Sequence, residues 1–600
     1  MLSRPYSAST ISPQNMATIP LSWSGPVPSS FSPLPQHRRS FNAKPPHFSG
    51  QIHRFAVSCN QTKEGQNQEY DPKDVENSRG KLDRRNVLFG MGGLYSAANL
   101  VPSTSPAIAT PISSPDFTKC TKGTNLNTNQ PLDVNCCPPV STDIITYKLP
   151  PVEKMRIRPA AQLAGEEYYA KFEKAISLMK ALPADDPRNF MQQANVHCAY
   201  CNLTYEQKGD PDVKLQIHNC WHFYPWHRWY LYFYERILGK LIDDPTFGMP
   251  FWNWDHPDGM PMPERYARAA SPLYNARRNL THLSPAVLDL AYAPKSATAQ
   301  DKIIPNNLTI VYGEMVRNVK KLDDFYGDKY VTGTAPNPGP GSVERGSHTA
   351  AHVWVGEATS TGEDMGNFYS TGRDTLFFAH HANIDRLWSI WRNLRGSKPK
   401  DYTEADWLEA DYLFYDENAD LVRVNVKDTL ENEKMGYVYQ DRDLPWLKKR
   451  PTARVKKSTV AKTSKAPEAA GNTFPVKLDK VVKVLVSRPK KSRNKKDKEK
   501  EEELLVIEGI EVDTSKFVRF DVFVNDEDDK PDELDKAEYA GSFSQVPHKN
   551  STTVKTKIRL GLTELLEDLD AEDDEKVLVS LVPKARGEDI SIGGIKIVYA

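Results

Sequence analysis

H-N-C-W-H-F-Y-P-W-H-R-W-Y-L-Y-F-Y-E-R runs from residue 218 to residue 236. Its second half is a dense aromatic stretch without glycine, and Pro225 stands where proline is favoured, in the first turn of a helix. The spacing predicts a helix that starts near Pro225 and carries His227, with His218 on the segment before it. His218 and His227 are nine apart, which puts them about half a turn out of phase on an unbroken helix. Only a break between them lets both rings reach one ion. His197, in H-C-A-Y-C-N at 197–202, is read as a loop residue that completes the set.

A second window follows. His348 and His352 are four apart in S-H-T-A-A-H-V-W-V at 347–355, a spacing that sets both rings on one helix face. The zinc-protease form of this pattern needs Glu directly after the first His; Thr349 stands there, so that reading fails. F-F-A-H-H-A-N-I-D-R-L-W at 377–388 supplies His380 or His381 on another helix. Of 14 histidines, eight fall in these two windows: His197, His218, His222, His227, His348, His352, His380 and His381. One buried histidine is more often a hydrogen-bonded core residue, but two windows of four point to metal. Imidazole suits Zn, Cu, Fe and Ni. Di-iron bundles use Glu with Glu-x-x-His sets, and none is visible. Histidines without carboxylate or thiolate favour copper.

At these residues the chain closely resembles the plant polyphenol oxidases, the catechol oxidase and tyrosinase group of type 3 copper proteins. The resemblance includes the pieces above, F-W-N-W-D at 251–255, N-F-Y-S-T-G-R-D at 367–374, D-W-L at 406–408, Y-V-Y at 437–439 and K-F-V-R-F-D-V at 516–522. It implies two copper ions, one held by His197, His218 and His227 and the other by His348, His352 and His381. His380 is then a neighbour, and His222 a core or supporting residue. It further implies a thioether between Cys201 and the ring of His218, disulfides Cys120–Cys137 and Cys136–Cys198, an inert Cys220, Phe368 as an aromatic gate over the second copper, and Glu344 as a water-positioning acid. Asp385, four after His381, reaches either a ligand imidazole or a nearby Arg. The expected activity is oxidation of o-diphenols to o-quinones with dioxygen reduced to water. Some relatives that also hydroxylate monophenols carry Asn after the second copper's first histidine. Thr349 there, with Val353 after His352, favours catechol oxidase over tyrosinase; a specialised aurone-forming oxidase would share every motif. The rival of a different class is a haemocyanin-like dioxygen carrier, which needs the same histidines. A zinc hydrolase ranks third.

The whole chain fits this frame. Six hundred residues exceed one ordinary domain. The expected class is α + β multidomain: a mainly helical catalytic domain at 110–440 with a four-helix bundle holding the dicopper site, a basic, protease-sensitive linker at 441–473, and a C-terminal β-sandwich at 474–600. The sandwich is read from apolar alternation in V-K-V-L-V, F-V-R-F-D-V-F-V and I-K-I-V-Y, and the Lys/Glu run at 490–503 as a solvated loop. In the family this domain covers the copper site and is removed by proteolysis, so an activating protease is an expected partner. Lys plus Arg and Asp plus Glu both total 78. That balance gives no reason to expect nucleic acid or a membrane surface, and no run of about 18 apolar residues suggests a stable membrane span. Nothing assigns an oligomeric state.

No acid precedes Glu64, while Ser, Pro and basic residues abound; residues 1–80 read as a chloroplast transit peptide. Arg84-Arg85, an apolar run and Ala107-Ile108-Ala109 read as a twin-arginine signal over 81–109 addressed to the thylakoid lumen. Six cysteines beyond Cys59 suit an exported, oxidising setting.

Overall fold

A computed structural model describes residues 110–600 except 123, 126–129, 132–134, 295–297, 360, 452–467, 527–532 and 549–550. Both targeting segments, 1–80 and 81–109, lie outside the described residues, as does the middle of the linker.

The helices that build the centre are α1 (Glu166–Ala181), α2 (Phe190–Cys201), α3 (Phe223–Leu241), α4 (Gln300–Tyr312), α5 (Thr349–Val355) and α6 (Thr375–Leu394). α3 begins at Phe223, so Pro225 falls in its first turn, where its missing N–H costs nothing. The helix is buried on nearly every side, as a core helix of a large domain is. It packs along α6 and α1. α6 starts at Asp374, whose side chain accepts from Leu376 N at 2.8 Å and also pairs with buried Arg278.

His197 corrects the sequence reading. It lies inside α2, not in a loop. Asn189 caps that helix by accepting from Met191 N at 2.8 Å, and no Gly or Pro interrupts 190–201. Its polar and aromatic residues Gln193, His197 and Tyr200 are buried among the apolar ones, which masks the helical period.

Short strands brace these helices. β1 (Ile144–Thr146), β2 (Arg156–Arg158), β3 (Asp411–Tyr415), β4 (Leu421–Asn425) and β5 (Tyr437–Tyr439) form a three-stranded sheet, β1-β4-β3, and the parallel pair β2-β5. From β2, Arg156 and Arg158 each donate to Glu235 of α3 at 2.8 Å. Two disulfides, Cys120–Cys137 and Cys136–Cys198, tie the segment before β1 together and to α2.

The C-terminal part is two facing antiparallel sheets. β6 (Val482–Ser487), β7 (Glu503–Asp513), β8 (Val518–Val524), β9 (Tyr539–Gln545), β10 (Thr553–Gly561), β11 (Lys576–Ala585) and β12 (Gly594–Tyr599) divide as β6-β11-β8-β9 and as β12-β7-β10. β6 shows the expected alternation, with Val482, Val484 and Val486 inside. β8 and β9 are buried on both faces. Their outer face carries Phe523 and Tyr539, which join the catalytic core rather than the sandwich core.

The Lys/Glu run departs from the expected loop. Lys495–Lys500 forms a short exposed helix, capped by Asn494. The start of the linker is also built in: Trp446 is buried and donates to Asp255 Oδ2 at 3.0 Å.

Candidate metal centre

α2, α3, α5 and α6, with the segment before α3 and the π-turn Glu344–His348 before α5, bring seven buried histidines to one place. His197, His218 and His227 form one cluster, with ring centroids 4.9 to 5.7 Å apart. His348, His352, His380 and His381 form the other, and His348 and His352 lie 4.6 Å apart. The clusters abut: His227 stacks on His381 at 4.3 Å and 11°. The two windows read from sequence are thus one centre.

The hydrogen bonds assign each ring. Nδ1 of His197, His227, His348 and His352 faces the main-chain oxygen of Phe368, Phe223, Glu344 and Met365, at 3.0, 2.7, 3.1 and 2.8 Å. A carbonyl can only accept, so these neutral rings hold their proton on Nδ1 and carry a bare Nε2. Nε2 of His197, His218, His227 and His348 has no partner, though buried. Nε2 of His352 and of His381 lie 3.2 Å apart, close to the ~3.3 Å separating two nitrogens bound to one tetrahedral ion at about 2.0 Å. Burial pushes every one of these imidazoles down, His227 to about 3 and His352 to about 4, so the rings are uncharged ligands at neutral pH. Orphaned, converging lone pairs fit a metal.

His380 differs. Trp254 Nε1 donates to its Nδ1 at 3.1 Å, so its proton belongs on Nε2, which has no hydrogen-bond partner, and neither nitrogen offers a lone pair. The structure brings four histidines together in the second cluster, but only three have a lone pair to give.

Other expected residues fall as follows. Glu344 is buried in the π-turn; one oxygen accepts from Asn219 N at 2.6 Å and the other, Oε2, has no partner. Burial raises its carboxyl to about 8. Thr349 Oγ1 donates to Glu344 O at 2.9 Å. Phe368 requires a correction: its ring stacks on His218 at 4.1 Å and meets His197 at 5.9 Å, in the first cluster rather than over the second. The reason is its backbone, whose carbonyl serves His197. Val353 lines a cleft of about 600 Å³ with Gly366, Phe517 and Pro547, which no histidine enters. Cys201 is a buried thiol, as is Cys220. His222 is a core residue tied to Tyr330 O and Tyr412 Oη. Asp385 serves arginines, accepting from Arg228 Nε at 2.5 Å and Arg158 at 3.2 Å, and also from Tyr437 and Tyr439.

Sequence reasoning missed Phe223 and Phe377. Phe223 packs within 6.1 Å of His218, His227, His348 and His381, and Phe377 lies 4.3 Å from His381 and 5.0 Å from His197. Their place beside the histidines in the two helical motifs was the only signal.

An uncharged, all-imidazole pair of clusters, sealed from water by aromatic rings, defines a histidine-liganded metalloprotein. Family comparison makes it specific. The common central domain of tyrosinase matches residues 187–394, the polyphenol oxidase middle domain 401–452, and the chloroplastic polyphenol oxidase C-terminal domain 474–599. The chain is 49% identical to a chloroplastic polyphenol oxidase of Malus domestica over 604 residues, covering 98% of this chain and 97% of that one. Latent apple tyrosinase superposes with TM-score 0.73 at 52% identity, over 76% of this chain and all of that one. A latent aurone synthase superposes with TM-score 0.76 at 43% identity, over 82% and 99%. The chain belongs to the plant polyphenol oxidase family of copper oxidoreductases.

Proposed function

We propose that this chain is a catechol oxidase that converts o-diphenols to o-quinones while dioxygen is reduced to water, and that it is made latent. Two copper ions would be held, one by Nε2 of His197, His218 and His227, the other by His348, His352 and His381. The carrying observation is the row of main-chain carbonyls that leaves Nε2 bare on both clusters. Bound copper supplies the electron transfer between phenol and dioxygen.

The protein does the rest. The carbonyls fix the orientation of His197, His227, His348 and His352. His218 is the ligand with neither nitrogen hydrogen-bonded, and a thioether from Cys201 would give it the rigidity the carbonyls give those four. Phe223 and Phe377 exclude water. Glu344 Oε2, unpartnered and near neutral pH in its affinity for protons, is suited to take the phenol's proton or to hold a water that does.

Latency rests on the segment Pro547-His548. Phe368 N donates to Pro547 O at 2.9 Å, His548 sits edge-on to the Phe368 ring at 4.4 Å, and Gln216 Nε2 lies 3.2 Å from His548 Nε2. Phenols therefore have no path past Phe368 until the C-terminal domain leaves. The activating cut belongs in the 441–473 linker, on the C-terminal side of the buried Trp446. The two N-terminal signals assign the mature protein, from about Thr110, to the chloroplast and within it to the thylakoid lumen.

The test is to express residues 110–600, measure copper per chain, and follow quinone formation and oxygen uptake with catechol before and after cutting the linker. Two coppers and turnover that rises on cutting support the proposal. Copper without turnover, cut or uncut, would favour a dioxygen carrier.

A further inference from the structure

Outside the metal centre, a pair of buried arginines stands at the seam between the catalytic core and the C-terminal sheet. Arg317 ends the π-turn Gly313–Arg317 that follows α4, and Arg345 lies in the π-turn before α5. They are 1% and 3% exposed. None of the three guanidinium nitrogens of Arg317 has a hydrogen-bond partner. Among the described residues, no carboxylate oxygen lies within 4.0 Å of either guanidinium. Arg345 donates only to uncharged main-chain oxygens, those of Ser542 and Arg559, at 3.2 and 3.3 Å.

Both side chains line one small cavity, closed on the other side by Tyr539, Gly541 and Ser542 of β9. It leaves about 10 Å³ for the centre of a water-sized sphere, the room of a single small body. The one acid on its wall is Glu314, and both its oxygens are engaged by Ser347: Oε2 by the hydroxyl at 2.5 Å and Oε1 by N at 3.0 Å. Burial raises the Glu314 carboxyl to about 8, with Ser347 and Arg345 acting against it. Burial lowers Arg317 and takes Arg345 down to about 10, against the opposing pull of Glu564 and Asp568 on the first and of Glu314 and Asp324 on the second, none of them within 4.0 Å of the guanidinium. A buried charge left unpaired costs several kcal/mol. A water offers two acceptor sites and no charge; a halide accepts from many donors at once and neutralises one cation.

We propose that this cavity binds one small monovalent anion of chloride size between Arg317 and Arg345, and that the anion locks the C-terminal sheet onto the catalytic core. The seam around it is already stitched by neutral bonds: Asn318 Nδ2 donates to Ala540 O at 3.0 Å, Gly561 N to Asn318 Oδ1 at 2.9 Å, and Ser544 Oγ to Arg345 O at 2.7 Å. The anion adds the missing charge at their centre. Arg345 is three residues before His348, so the same ion also steadies the turn that presents a proposed copper ligand. The locking role rests on the proposed latency; the binding does not.

The test uses the intact copper-loaded chain. Crystals grown with bromide in place of chloride should show an anomalous peak between Arg317 and Arg345; no peak at saturating bromide, with density no stronger than water, overturns the site. In solution, the wild type should melt about 2–4 °C higher in sodium chloride than in sodium gluconate of equal ionic strength, since gluconate is too large to enter. Arg317→Met should abolish that difference while melting at least as high as the wild type in gluconate; an equal chloride response in the variant overturns the proposal. Activity of the uncut chain should fall several-fold in chloride, beyond any effect on the cut enzyme, and not in Arg317→Met. A bromide peak with unchanged uncut activity overturns the locking role alone. If cut and uncut chains are equally active, latency itself fails, and the peak still decides the anion site.

Discussion

An indole-to-imidazole hydrogen bond of 3.1 Å joins Trp254 to His380, and it gives two adjacent histidines different roles. The indole can only donate, so His380 spends its lone pair on Trp254, while His381 points Nε2 at His352. Replacing His381 with Ala should therefore lower copper from about two to about one per chain and abolish oxidase activity. His380→Gln keeps an acceptor for Trp254 and should retain both ions. Metal analysis of the two purified variants decides it; copper loss in His380→Gln alone would reverse the assignment.

His548 meets the Phe368 ring edge-on at 4.4 Å, the contact proposed to close the site. An aromatic edge contact of this kind is worth about 0.5–1.5 kcal/mol. His548→Ala should raise the activity of the uncut chain roughly 2- to 10-fold, since about 1.4 kcal/mol is a factor of ten. The cut enzyme, which has lost the segment, serves as the reference in the same quinone assay.

Asp385 holds α6 to α3 and β2 through two arginines and two tyrosines. Burial alone would push its carboxyl up, but Arg228 and Arg158 outweigh that and hold it below the ordinary value. A depressed carboxylate stabilises the fold fully above the unfolded-state pKa, about 3.9, and loses that contribution as pH falls through its folded value. Asp385→Asn should thus cost about 3–5 kcal/mol at pH 7. The gap between variant and wild type in urea unfolding should shrink below about pH 4.

The Cys136–Cys198 bond closes a loop 62 residues in sequence separation and ends on the residue after His197. Loop-closure entropy for that length is worth about 4 kcal/mol as an upper estimate. Cys136→Ser should lower the melting temperature and speed copper loss to a chelator, with the first ion leaving before the second.

Thr349 commits its hydroxyl proton to Glu344 O at 2.9 Å, which leaves it a weak hold on any water beside Glu344 Oε2. Thr349→Asn, with an amide that reaches further, should raise tyramine hydroxylation relative to catechol oxidation by about tenfold. An unchanged ratio of the two rates would move the control of monophenol chemistry elsewhere, with Val353 the next position to vary.

Much of the centre was legible in the chain because it is written in local patterns. The His348–His352 spacing, the break at Pro225 and the aromatic run of α3 each constrain only a few neighbouring residues, and the structure realises all three. The helix carrying His197 was not legible, since nine of its twelve residues are buried, polar ones among them, and that blurs the periodicity that marks a helix. The site of Phe368 was not legible either: its ring follows a carbonyl that serves His197, 171 residues away.

By itself, then, the sequence determined the family, the α + β organisation and which histidines gather, because spacing along a helix is a property of the backbone alone. Tertiary structure decided what no spacing encodes. It committed the lone pair of His380 to Trp254, 126 residues distant. It gave Asp385 to arginines 157 and 227 residues away. It left Arg317 and Arg345 without a carboxylate, facing the C-terminal sheet. Proton position and charge compensation depend on which polar groups meet after burial, and in a folded chain those partners are set by packing, not by sequence separation.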